Sequence, residues 1–326
     1  MIGKSGFTEI AEESLVYTQE SMDRLKRKGP PVLIGIPKET ADQEKRVVLT
    51  PEAVALLVNN GQRVVVEADA GKFSKFSDKD YADAGAKVVY TSKEAYDAEV
   101  ILKVEPPTEE EINYMRQGAC LISALQLGKQ NAAFIHQLNQ KKITAVAFEN
   151  LEDKVGGMPV VRAMSEIAGS TVMLIAAEYL SNVNDGKGLI LGGITGVPPT
   201  QVVIIGAGTV AEYAARTALG LGANIKIFDN QIYKLRRIKQ VLGQQVFTST
   251  IDNYVLGQAL KESDVVIGAL RAEKGRSKIV VFEEMVSQMM EGSIIIDVSI
   301  DQGGCIETAE MTSHTQPVFK KHGVIH

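Results

Sequence analysis

The chain has 326 residues, 45% of them hydrophobic and 23% charged, with a formal net charge of −5. That leaves room for two domains with sizeable cores in an ordinary globular protein, and the negative balance argues against nucleic acid as the main partner. No apolar run is expected to reach the length that spans a bilayer, so no membrane role is expected. Cys120 and Cys305 are too few and too far apart to suggest a metal site or a disulfide framework, which suits a reducing compartment.

The N-terminus carries Glu9, Glu12, Glu13 and Glu20 without an apolar signal core, so secretion is not expected and a cytoplasmic location is. Residues 1 to about 30 alternate charged and apolar groups and predict an amphipathic helix ending at Gly29 and Pro30-Pro31, an appended surface extension over 1–31. From Val32 the pattern changes to strands and helices in turn: VLIGIP, PEAVALLVNN, RVVVEA, a short helix near Asp78 to Ala84, EVILKV, TEEEINYMR, CLISAL, a helix from about Lys129, and ITAVAFE. Such alternation predicts an α/β fold with parallel strands and helices on the sheet faces. The loop VGGMP at 155–159 marks a boundary between a domain at 32–159 and a second at 160–326. A long helix from about Met164 to Leu180 opens the second. Beyond Asp229 follow a helix around Tyr233 to Val241, a strand at 264–269, a helix at Glu283 to Met290 and the strand SIIIDVSI at 293–300. The two halves read as two doubly wound, Rossmann-like parallel-sheet domains, and a cleft between them is the default substrate site.

The stretch from Gln201 to Asp229 names a ligand by its spacing. Gln201 to Ile205 form a β-branched run suited to a strand buried on both faces. Gly206, Gly208 and Ala211 follow as G-x-G-x-x-A: the first permits the tight bend, the second lets a pyrophosphate approach the backbone, and the third lets the next helix close on the strand. That helix, Thr209 to about Leu219, turns its N-terminal amides and dipole toward the phosphates. A second strand leads into Asp229, twenty-three residues after Gly206, where a carboxylate can accept from both ribose hydroxyls and repel a 2'-phosphate, favouring NAD over NADP. Glycines alone would be compatible with an ordinary tight turn. Strand, helix and acid at this spacing make it a dinucleotide site.

Four stretches carry a resemblance: GIPKETADQEKRVVLTPEAV (35–54), MSEIAG (164–169), LGGITGVPPTQVVIIGAGTV (191–210) and IDVSIDQGGCIE (296–307). In them the chain resembles the alanine dehydrogenase and nicotinamide nucleotide transhydrogenase family over nearly its whole length after the extension. The resemblance implies a first domain that holds substrate, a second that holds NAD, and a homo-oligomer. The short segment between Thr250 and Asp264 and the run Asp301-Gln302-Gly303-Gly304 are similar to the dehydrogenase branch.

By that resemblance Arg46 matches the arginine that binds the substrate carboxylate, which suits a guanidinium's two parallel hydrogen bonds. Asp301 matches the active-site aspartate, just past an apolar strand, although a turn residue is also expected there. Ser165 and Lys234 match positions near the nucleotide. Two positions depart. Where alanine dehydrogenases carry a substrate-binding lysine in K-V-K-E-P, this chain reads Lys103, Val104, Glu105, Pro106, Pro107, with Glu105 in the lysine position. Where they carry a catalytic histidine, SALQLG places Gln126, which cannot serve as a general acid or base. Lys103, two residues from Glu105, would share its face on a strand and take over the cation's duty, or be a salt-bridged strand-end lysine. Glu105 would alternatively hold a substrate ammonium. The chain stops at HGVIH, where the resemblance implies a further strand, loop and helices returning to the first domain. The expected function is NAD-dependent interconversion of L-alanine with pyruvate and ammonia, on a small amino acid or 2-oxo acid. The alternatives are a transhydrogenase α-like NAD-binding subunit and an NAD-binding protein without activity.

Overall fold

The β-branched runs of the sequence become two parallel sheets in the computed structural model, which describes residues 29–154, 156–271 and 277–326. The helix expected over residues 1 to about 30 lies outside the described residues except at its end. The chain divides after Leu151 into two compact units.

In the first unit, β1 (Leu33–Ile36), β2 (Arg63–Glu67), β3 (Lys87–Val89), β4 (Val100–Leu102), β5 (Cys120–Ser123) and β6 (Thr144–Ala147) lie in the order β3-β2-β1-β4-β5-β6. Every pair is parallel, so each strand needs a crossover to reach its neighbour. The crossovers carry α1 (Pro51–Asn59), α2 (Asp78–Asp83), α3 (Ser92–Tyr96), α4 (Glu109–Tyr114) and α5 (Ala132–Gln140). Their starts are written locally. Thr50 caps α1 with Pro51 behind it, and Ser77 with Asp80 and Thr108 with Glu111 close reciprocal capping boxes on α2 and α4. Strand order reverses between β1 and β4, so the loops leaving those two strands part and open a crevice.

The second unit repeats the plan. Among the described residues, β7 (Gln201–Ile205), β8 (Asn224–Phe228), β9 (Phe247–Ser249), β10 (Val265–Gly268), β11 (Ile294–Asp297), β12 (Lys320–Lys321) and β13 (Val324–Ile325) form a sheet ordered β12-β13-β11-β10-β7-β8-β9. Only the β12 and β13 pair is antiparallel. Val202 and Ile204 of β7 face a core shared with α6 (Pro159–Leu180), α7 (Thr209–Gly220) and α8 (Ile232–Leu242). Val203 and Ile205 face a second core with α9 (Asn253–Lys261) and Val286 of α10 (Glu283–Val286). Both sheet faces are therefore covered, which is why β7 reads as a continuous apolar run.

Several element bounds differ from the sequence expectation. The long helix begins at Pro159 rather than near Met164, because proline at N1 needs no amide partner and is preset for a helix. The helix expected to Met290 ends at Val286, and the strand expected to residue 300 ends at Asp297, whose carboxylate takes the amides of Ser299, Cys305 and Ile306 at 2.9, 2.7 and 3.1 Å. β3, α3, β9 and α9 were not expected from the pattern: β3 and β9 are three residues long and α3 five. α6 corrects the expectation that no apolar stretch reaches membrane-spanning length. It has 22 residues and a mean hydropathy of 1.4 in its most apolar window. The same test is passed by a core helix, and one face of α6 is buried through Gly169, Val172, Met173, Ala176 and Leu180.

At Gly169 the backbone of α6 lies against α7. A β-carbon there would stand 2.4 Å from the Val210 carbonyl oxygen and 2.8 Å from the Tyr213 β-carbon. Gly169→Ala should therefore lower thermal stability by about 1–3 kcal/mol through overpacking, although alanine is the better helix former by about 1 kcal/mol. Thermal denaturation that shows a stabilised variant would mean that the two helices can separate without cost.

Candidate functional site

In the first unit the candidate residues gather at the strand reversal, on the loops that leave β1, β4 and β5. Glu39, three residues past β1, straps the β4 loop: its carboxylate accepts from the Val104 amide at 2.6 Å and the Lys103 ammonium at 2.9 Å. Glu111 lies 3.8 Å from the same ammonium and accepts from Thr40 Oγ1 at 2.9 Å. Lys103 is 1% exposed, so its charge is spent inside the fold between two carboxylates. β4 stops at Leu102, so Lys103 and Glu105 are on a loop and the shared strand face expected of them is not what positions them. Lys103 turns inward. Glu105 turns toward Arg46 and Gln126.

Arg46 is half exposed and anchored by Glu44, which takes Nε at 2.8 Å and Nη2 at 2.5 Å. Glu105 Oε1 lies 3.6 Å from Nη2. Nη1 has no acceptor among the described residues, so one edge of the fork remains available to a carboxylate. Its hydrogen bonds with Glu44 raise the guanidinium pKa. Burial raises the Glu44 carboxyl, but the hydrogen bonds and charge of Arg46 outweigh it and hold the group below its ordinary value. Glu105 is the opposite case. Burial, then the negative charge of Glu44, push its pKa upward, while Arg46 and the Gln126 hydrogen bond only partly oppose them.

Gln126 donates from Nε2 to Glu105 at 2.8 Å, and its backbone is left-handed with φ 46°. The Glu149 carboxylate holds that turn by accepting from the Leu125 and Gln126 amides at 3.2 and 2.8 Å. An unusual backbone at a non-glycine residue, held by a dedicated carboxylate, is a feature that clusters at functional sites.

In the second unit the glycine turn follows β7 and meets the end of β10. Gly206 has φ +111°, and a β-carbon on it would stand 2.4 Å from the Ala269 carbonyl oxygen. A β-carbon at Gly208 would meet nothing within 4 Å, and this residue starts α7 without a side-chain cap. Open space in front of uncapped helix amides fits a pyrophosphate. Ala211 is fully buried and lets α7 close on the sheet. Asp229, 3% exposed, accepts from the Ala207 amide at 2.8 Å and the Gln231 amide at 2.7 Å. Lys234 lies in the first turn of α8, and Ser165 lies one turn before Gly169 on α6, the glycine that meets Val210 of α7. Asp301 is exposed on a short 3-10 turn, Ile300–Gln302, beyond β11.

A family model described as the alanine dehydrogenase/PNT N-terminal domain matches residues 35–168, and its C-terminal counterpart matches residues 172–326. The chain belongs to the alanine dehydrogenase/PNT family. The alanine dehydrogenase of Bacillus subtilis strain 168 is 40% identical over 296 residues, covering 90% of this chain and 78% of the relative. A solved L-alanine dehydrogenase superposes with a TM-score of 0.86 at 39% identity, covering 90% of this chain and 81% of the other. A transhydrogenase from Sinorhizobium meliloti gives 0.79 at 28% identity, covering 90% and 85%. The similarity is thus to an alanine dehydrogenase more than to a transhydrogenase.

Within this alanine dehydrogenase-like frame, the structure brings Arg46, Glu105 and Gln126 into one cluster and Gly206, Gly208 and Asp229 into another. Glu39, Glu44 and Glu149 were not singled out in the sequence. The first two lie within the stretch that carries the resemblance, and Glu44 is two residues from Arg46. Glu149 lies two residues past β6, in the 3-10 turn Phe148–Asn150, and has no local signature. If Lys103 holds the strand-end loops together, Lys103→Met leaves Glu39 and Glu111 buried without their cation and should cost about 3–5 kcal/mol, a fall in melting temperature on the order of 10 °C. A lysine whose role lay only in the chemistry would lose activity with its melting temperature intact.

Proposed function

We propose that this chain is an NAD-dependent amino-acid dehydrogenase of the alanine dehydrogenase type, which interconverts L-alanine with pyruvate and ammonia. The observation that carries this reading is the pairing of a carboxylate-gripping arginine with an open dinucleotide turn in a chain of this family. Arg46 holds the substrate carboxylate with the edge of its guanidinium that Glu44 leaves open. Glu44 itself is a positioning residue, because it fixes the fork in one orientation. Bound NAD supplies the hydride acceptor. Gly206 and Gly208 admit its pyrophosphate, Ala211 seats the helix behind it, Asp229 meets the ribose, and Ser165 and Lys234 lie on the flanking helices. Asp301, exposed beyond β11, orders the amino group or a water.

Glu105 takes the proton-transfer work that a glutamine at residue 126 cannot do. Its raised pKa moves a carboxylate toward the working pH, and Gln126 holds one of its oxygens in place. A carboxylate here also draws in a substrate ammonium. A cytoplasmic, homo-oligomeric enzyme is part of the same proposal. The transhydrogenase reading is favoured by the replaced lysine and histidine positions, Glu105 and Gln126, and it requires hydride exchange with a separate NADP-binding partner.

The deciding experiment is spectrophotometric NADH formation across a panel of small amino and hydroxy acids. Turnover on alanine or a near relative supports the reading. Measurable NAD binding without turnover on any panel member supports the inactive NAD-binding alternative instead. Arg46→Lys keeps the charge but loses the two-pronged geometry. It should lower kcat/KM by about tenfold to a hundredfold, the loss of one charge-assisted hydrogen bond, chiefly through KM and with NAD affinity unchanged. Equal loss of NAD and substrate binding would remove Arg46 from the substrate site.

The sign of the pH dependence follows from Glu105. A base works deprotonated, so kcat/KM should climb as pH rises through a pKa above the ordinary carboxylate value. In Glu105→Gln that limb should vanish along with about a hundredfold or more of the rate. A limb that persists in the variant would assign the proton transfer to another group.

A further inference from the structure

An ion-pair network joins α7 and α8 to the glycine turn, and the dinucleotide pattern does not require it. Glu212, in the first turn of α7 and 6% exposed, accepts from Arg237 Nη1 at 2.7 Å and from Arg216 Nη2 at 3.0 Å. Arg237 also donates from Nη2 to the Ala207 carbonyl at 3.1 Å, while the Ala207 amide donates to Asp229 at 2.8 Å. Ala207 is fully buried. The middle residue of the turn is thus gripped at its amide by an acid and at its carbonyl by a guanidinium, so that both side chains meet the same residue of the turn.

We propose that Glu212 determines cofactor specificity: it keeps the Arg237 guanidinium engaged and so withholds it from the 2'-phosphate of NADP. This rests on the dinucleotide reading of the turn. The Arg237 side chain is 41% exposed, so it is not sealed in the core, and its planar fork matches phosphate oxygens. It shares Ala207 with the acid proposed to meet the ribose, and an NADP-selective site of this fold places an arginine near that acid. Here one nitrogen is spent on Glu212 and the other on the turn itself, and Arg216 draws on the same carboxylate. Two positive charges converge on one negative charge. If that negative charge is removed, Arg216 keeps the Val241 carbonyl at 3.1 Å and Arg237 keeps only the Ala207 carbonyl, so a dianionic phosphate would satisfy the edge of Arg237 that is released. Asp229 and Glu212 therefore act in the same direction by different means: the first repels a 2'-phosphate and the second hides the cation that would attract it.

The test uses the full chain and titrates NADH and NADPH by the fluorescence of the bound reduced cofactor. Glu212→Gln retains the shape and one acceptor but removes the charge, and circular dichroism checks the fold. The ratio of the NADPH to the NADH dissociation constant should fall about tenfold, mainly through tighter NADPH binding, the scale of one charge-assisted hydrogen bond. In an Arg237→Gln background the same substitution should leave the ratio unmoved. Glu212→Asp, which keeps the charge but withdraws it by one methylene, should move the ratio less in the same direction and serves if the glutamine variant does not fold. Equal weakening of both cofactors, or an unmoved ratio in a folded variant, overturns the proposal and makes the network purely structural. A wild-type chain that binds neither cofactor overturns the dinucleotide reading beneath it.

Discussion

Both units depend on one constraint: a parallel strand cannot turn back on its neighbour and must be followed by a crossover. Where successive crossovers leave a sheet in opposite directions, the loops at adjacent strand ends separate, and polar side chains can gather there without disturbing the core. In the first unit this happens between β1 and β4, and Glu39, Arg46, Lys103 and Glu105 all lie on the two loops that part. In the second it happens between β7 and β10, and the glycine turn leaves β7 against Ala269 at the end of β10. The chemistry of each unit is therefore located by strand order before any side chain is considered.

Placing charges at such loops creates a second requirement, because a charge withdrawn from water must be answered. The chain answers each cation with an acid fixed nearby: Lys103 with Glu39, Arg46 with Glu44, and Arg237 with Glu212. The pairs differ in consequence. The Lys103 ammonium is enclosed and can do nothing but hold loops together. Arg46 is anchored along one edge and exposed along another, so the same kind of contact that immobilises Lys103 only orients Arg46. Burial, not the carboxylate partner, is what separates the two cations here.

This explains what was legible in the sequence. Covalent geometry writes the glycine turn locally: Gly206 needs a positive φ and Gly208 needs empty space, and both needs appear as residue types at fixed spacing. β7 and α7 were equally plain, because a run buried on both faces and an alanine-rich helix need no long-range information. The partners of the charged residues were not legible. Glu149 meets Gln126 across twenty-three positions, and Glu39 meets Lys103 across sixty-four. Only the fold decides that they touch. Short elements such as β3 and α3 failed for a related reason, since three to five residues carry too few turns of any period to register.

The first site also shows how one substitution changes the work of its neighbours. With a lysine in the position of Glu105, a cluster of Glu39, Glu44 and Glu111 with Lys103 and Arg46 would be balanced by a third cation. With glutamate there, four carboxylates face two cations, and the surplus falls on the group least able to export it. Glu39 and Glu111 share Lys103, and Glu44 has three hydrogen bonds from Arg46, two of them from the guanidinium, whereas Glu105 has only a 3.6 Å approach to Arg46 and a neutral amide. Burial is the first cause of the rise in the Glu105 pKa, and that unequal sharing adds to it. A glutamine at residue 126 then becomes intelligible as well. A histidine there would compete for the proton, while an amide can hold the carboxylate without changing its charge. On the proposed mechanism, the departures at residues 105 and 126 are physically one change, in which a carboxylate acquires the proton affinity and the orientation that an imidazole would otherwise bring.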